Sequence, residues 1–147
     1  MTDTIVGALI GVGSAILGAI VGAWIGYRLS ISLVHVTTRH NAASNLRKAF
    51  YDELAILNMS SLKDIDACSM LEGAFKKHMI AFWELKSTLP KSKCVAFTQA
   101  WEEYYCYPGT GDHHLEQYDT LTGGSEQRKG KRTLAIKRIE HILSFTE

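Results

Sequence analysis

Charge is missing from the start of this chain. No Asp, Glu, Lys, Arg or His lies between Ile5 and Tyr27, and no basic side chain precedes Arg28. A cleaved secretory leader opens on a positive segment and carries a shorter apolar core, so none is expected here. Proline is scarce: Pro90 and Pro108 are the only two, so little interrupts long helices. Cysteine is sparse too. Cys68, Cys94 and Cys106 have no C-x-x-C spacing, and an odd number cannot all pair internally, so reduced thiols in the cytosol are expected. Net charge is small, +1 over 147 residues, which argues against nucleic acid as the main partner. Internal repeats and strand-like alternation of useful length are absent as well.

What is present is an uninterrupted apolar run. Ile5 to Tyr27 is 23 residues, IVGALIGVGSAILGAIVGAWIGY. At about 1.5 Å per residue it covers roughly 34 Å, enough for a hydrocarbon layer of about 30 Å. The run predicts a single transmembrane helix. Wound at 100° per residue, it sorts by size: Gly7, Gly11, Ser14, Gly18, Gly22 and Gly26 share one side, with bulky aliphatics opposite. Small side chains let a second helix backbone come close, so this glycine-zipper-like face is the candidate association surface. The expected partners are the lipid bilayer and either identical copies or another membrane protein. All 16 Lys and Arg lie at or beyond Arg28. The positive-inside rule then places the N-terminus outside and the rest in the cytoplasm.

After the span, Leu29, Leu33, Val36, Ala43, Leu46, Phe50, Leu54 and Leu57 recur at helical spacing, which predicts that the first helix runs on to about Asn58. Ser60 to Asp66 reads as a turn whose Asp64 or Asp66 caps the next helix. That helix, from Ala67 to about Leu85, turns Leu71, Phe75, Met79, Phe82 and Leu85 inward. A third, about Ser92 to Tyr105, aligns Cys94, Phe97, Trp101, Tyr104 and Tyr105. A glycine-rich stretch over 107–127 reads as a long loop, and a last helix from about Glu126 to Phe145 turns Ala135, Ile139, Ile142 and Leu143 inward. The expected fold class is therefore all-α. It has one transmembrane helix (5–27), a juxtamembrane continuation (28–58), and a cytoplasmic helical domain (59–147) holding about three further helices.

Chemistry-bearing residues are few. In the aromatic run Ala100 to Pro108, Trp101 together with Phe97 reads as core, while Tyr105 and Tyr107 beside the loop are a candidate interaction surface. The basic start of the last helix, with Arg128, Lys129, Lys131 and Arg132, is a candidate contact for phosphate or lipid headgroups. His113 and His114, among Asp112, Glu116 and Asp119, are the residue types a divalent metal takes. A glycine-rich loop is a poor cage, however, and no second His/Cys pair stands at a known spacing. The expectation is no metal, no cofactor and no enzymatic activity. His78 and His141 read as structural histidines, and nothing places an activating base beside Cys94 or Cys106.

The stretch Phe97 to Pro108, F-x-x-A-W-E-E-Y-Y-C-Y-P, resembles an uncharacterised group of small bacterial single-span proteins. So does R-K-A-F-x-x-E-L at Arg47 to Leu54, and so does the basic final helix. The resemblance implies a bacterial inner-membrane location and carries no activity or catalytic residue. The leading expectation is a membrane-anchored, non-enzymatic interaction protein. Two alternatives of other classes are an oligomeric pore, for which Ser14 is the sole polar lining residue on offer, and a metal-dependent enzyme using the loop histidines.

Overall fold

The computed structural model describes residues 2–59, 66–106 and 115–147, with side chains from residue 21 onward. It is all-α, with no strand among the described residues. Helix α1 runs Thr2–Asn58, α2 Ala67–Thr88, α3 Lys91–Tyr105 and α4 Ser125–Leu143. A short 3-10 turn, Leu115–Tyr118, precedes α4 and another, Ser144–Thr146, follows it. Contacts divide the chain into two units, Met1–Thr37 and Thr38–Glu147. The boundary falls ten residues beyond the end of the predicted span at Tyr27, so the later part of the juxtamembrane helix belongs to the bundle.

The finer expectation, a membrane-crossing helix, is not supported by the described residues. None of their helices is long and apolar enough to cross a membrane. Residues 5–20 of the predicted span have no described side chains, and α1 is helical throughout them.

The second unit is a bundle closed by capping. Asp66 accepts from the Cys68 and Ser69 amides at 3.1 Å each, which satisfies two donors that start α2. Pro90 ends α2 by holding Leu89 extended and then opens α3. Gly123 carries a positive φ of 93°, a conformation that glycine adopts without strain, and a Cβ there would run into the Gln127 amide. The turn brings the Gly124 amide to Gln127 Oε1 at 3.3 Å and starts α4.

The far end of α1 depends on a residue distant in sequence. Arg132 of α4 donates to the Leu57 and Met59 carbonyls and, at 3.3 Å, to that of Ile56. The Ile56 carbonyl also accepts from the Met59 amide at 3.1 Å, and a guanidinium fork meets several carbonyls at once.

Leu46, Phe50, Leu71, Phe82, Leu85, Phe97, Tyr104, Tyr118, Ile139 and Ile142 form the core. Burying each large apolar side chain contributes about 1.5–3 kcal/mol before ordering entropy is set against it. Phe82 stacks on Trp101 at 4.5 Å and on Phe97 at 4.9 Å, so the aromatic run does pack inward at those two positions.

Two local readings need correction. Met79 is partly exposed and His78, one residue earlier, takes the buried place. The interval 107–127 is not loop throughout. Leu115, Tyr118 and Thr120 are buried, and Thr120 Oγ1 accepts from the Ala67 amide at 3.0 Å. The apolar content of that interval, Leu115 and Tyr118, is what glycine counting overlooked.

Candidate functional site

From Val21 to Val36, α1 shows its apolar side chains to the surroundings. Leu29 is 59% exposed, Leu33 67% and Val36 64%, and Val21, Trp24, Ile25, Tyr27, Ile31 and Val34 are exposed too. A Cβ built on Gly22 or Gly26 would meet nothing within 4 Å. Residues 21–38 are exposed on every side of the helix. The Arg28 guanidinium lies over the Trp24 ring, 5.1 Å from its centroid, a cation–aromatic pair of the kind found where apolar and polar surroundings meet. Gly7, Gly11, Ser14 and Gly18, the rest of the predicted face, lie outside the residues whose side chains are described.

The second unit holds a sealed polar line. His78 Nε2 lies 3.0 Å from the Ala49 carbonyl, which can only accept, so Nε2 carries the proton. Nδ1 then accepts from the Tyr104 hydroxyl at 3.0 Å. Glu53 Oε2 stands 3.4 Å from Nε2, and Lys77 Nζ meets Glu53 Oε1 at 2.8 Å. Phe50 stacks on the imidazole at 3.9 Å.

Burial holds the His78 pKa down to about 4 against the opposing pull of Glu53, so the ring is neutral. Burial raises the Tyr104 hydroxyl, which stays protonated. The Glu53 carboxyl is pushed up by burial, but the Lys77 hydrogen bond and the surrounding positive charge outweigh that and leave it lowered. An acid, a base and a hydroxyl in line resemble catalytic parts. Here His78 and Tyr104 are fully enclosed, so a reactant has no approach, and the line ties α1, α2 and α3 together.

The other candidates are placed as follows. Tyr105 is half-buried and stacks on Phe75 at 4.2 Å. Tyr107, His113 and His114 lie outside the described residues. Among the described residues, no group of His, Cys, Asp or Glu is arranged to hold a metal ion.

The basic stretch of α4 is largely engaged within the fold. Arg132 caps α1, and Lys131 reaches Thr122 Oγ1 at 3.4 Å. Arg138 bonds Gln117 and, at 3.3 Å, the Tyr118 hydroxyl. Lys129 is exposed and Arg128 half-buried. All three cysteines are free. Burial and then Glu72 push the Cys68 thiol up to about 12, and burial with Glu102 raises Cys106, so neither is primed as a nucleophile. His141 is exposed, not packed in the core, with Glu103 Oε2 3.8 Å away.

Sequence reasoning missed three features. Glu53 carries no signal of its own in the sequence, and Arg132 reads there as a candidate contact for phosphate or lipid headgroups, not as a cap. Met79, Ile80 and Trp83 of α2 form an exposed apolar group, with Lys86 Nζ 4.7 Å from the Trp83 ring. The signal for the last was available: Ile80 and Trp83 both fall off the inward stripe of α2.

No family model, curated protein or solved structure matches the chain.

Proposed function

We propose that the chain is a membrane-anchored, non-enzymatic interaction protein. The start of α1 spans the bacterial inner membrane once, with the N-terminus outside and the bundle in the cytoplasm. The glycine face of the span then carries association, with a second copy or with another membrane protein. The observation that supports this reading is the charge-free run Ile5 to Tyr27 on a continuous helix, whose described end leaves Gly22 and Gly26 open. In hydrocarbon a helix can satisfy its own backbone groups, and small residues are what let two such helices touch. The distribution of Lys and Arg supports the orientation.

Gly18→Ile combined with Gly22→Ile tests the association. A Cβ at Gly22 disturbs nothing in the chain's own fold. The expected result in a membrane two-hybrid assay is a several-fold loss of self-association signal with the protein still membrane-bound. An unchanged signal removes the glycine face from the proposal.

A further inference from the structure

One end of the second unit is assembled from three separate stretches. Helices α1 and α2 run antiparallel there: His78 meets Ala49 and Glu53, while Glu84 accepts from the Asn45 side-chain amide at 3.1 Å. The end of α2 and the turn into α3 therefore lie beside the first turns of α1 in this unit. The last turn of the chain joins them. Arg47 donates to the Thr146 carbonyl at 2.9 Å and Arg39 to that of Glu147 at 3.4 Å. The chain also enters the unit here, at Thr38.

The turn between α2 and α3 carries charge of one sign. Lys86, Lys91 and Lys93 follow Glu84, and no further acid appears before Glu102. Lys91 and Lys93 are exposed, and among the described residues none of the three lysines forms an ion pair. Large apolar groups accompany them. Trp83 is 58% exposed and Val95 74%, one on each side of the turn in the chain. The Lys86 ammonium lies 4.7 Å from the Trp83 ring and 5.4 Å from that of Phe82, so this cation rides on aromatic surface instead of pairing with an acid.

An indole suits the boundary between hydrocarbon and water, and ammonium groups suit lipid phosphates. An uncharged apolar partner would leave three lysines without a counter-charge, whereas an anionic bilayer meets both needs at once. The opposite end of the unit lacks this combination. Arg132 caps α1 there, Lys131 bonds Thr122, and Asp66 and Asp119 add acidic charge. The basic start of α4 is thus less available to phosphate than the α2–α3 turn.

We propose that the α2–α3 end of the bundle rests on an anionic lipid surface, with Trp83 and Val95 in the headgroup layer and Lys86, Lys91 and Lys93 against the phosphates. The proposal rests on the membrane-anchor reading, which supplies the lipid. Ten residues separate Arg28 from Thr38, and so short a tie keeps the local concentration of the bundle at the bilayer high. Contacts too weak to hold a free protein are then populated.

Quenching of Trp83 fluorescence in the full-length protein tests the contact. The chain has three tryptophans, so Trp24→Phe leaves exposed Trp83 and buried Trp101 as emitters. This variant is reconstituted into vesicles of brominated phosphatidylcholine, with or without phosphatidylglycerol. Adding Trp83→Phe gives the signal of Trp101 alone, which also reports that the bundle is folded. Quenching of the Trp83 share should be several-fold greater with phosphatidylglycerol than without it. Lys86→Gln, Lys91→Gln and Lys93→Gln together should remove most of that difference, as should molar salt. Equal Trp83 emission in the two lipid compositions, or a lysine variant quenched as strongly as its parent, overturns the contact. If that protein floats with the vesicles, the anchor stands. Protein that does not float with the vesicles overturns the anchor reading, and this contact with it.

Discussion

His78 is enclosed by Phe50, Tyr104, the Ala49 carbonyl and Glu53, and its charge state links the bundle to pH. Its folded pKa, about 4, lies below the ordinary value of 6.5. Between those two values the unfolded chain binds a proton that the folded chain refuses, so stability falls as pH drops from 6.5 towards 4. The loss amounts to about 3 kcal/mol at the low end, and below the folded pKa this group adds no further slope. Glu53, whose carboxyl is lowered, works in the same direction at still lower pH. Urea unfolding across pH 7 to 4 should show the slope in the wild type and a flatter one in His78→Gln, which starts from a lower baseline. Removing only the partner hydroxyl, with Tyr104→Phe, leaves Nδ1 buried and unpaired. That should cost about 1–3 kcal/mol in the same unfolding measurement at pH 7.

At the scale of elements, the helices were legible and their long-range fastenings were not. Leu46, Phe50, Phe97, Trp101, Ala135 and Ile139 announce their faces by spacing alone, and the structure buries all six. A carboxylate ahead of an apolar period announces the start of α2; the sequence offers Asp64 or Asp66, and Asp66 is the one that accepts from the free amides. Arg132 gives no such signal. Its role depends on α4 meeting the end of α1, which is 75 residues away for the Leu57 bond, and one chain position says nothing about that meeting. The Glu53–His78 pairing was hidden for the same reason. Arg132→Ala should uncap α1 and destabilise the bundle by about 1.5–3 kcal/mol, the scale of hydrogen bonds to a charged group. Faster amide exchange in the last turn of α1 should accompany the loss. Arg132→Lys, which keeps the charge but loses the fork, should recover only part of it.

At the scale of the whole molecule, the two units have different requirements. Thr38–Glu147 buries a core of its own while leaving Met79, Ile80 and Trp83 exposed, and among the described residues no buried side-chain nitrogen or oxygen lacks a partner. Met1–Thr37 holds apolar side chains that its described part leaves uncovered. An uncovered stretch of that length needs lipid, another helix or both. The bundle explains how the second unit folds, and the proposed association rests on the first unit. The most direct test is fractionation of cells lysed without detergent, followed by an alkaline carbonate wash of the membranes. Full-length protein should sediment with the membranes and resist the wash. Full-length protein remaining in the supernatant, or released by carbonate, would contradict the anchor on which the account stands.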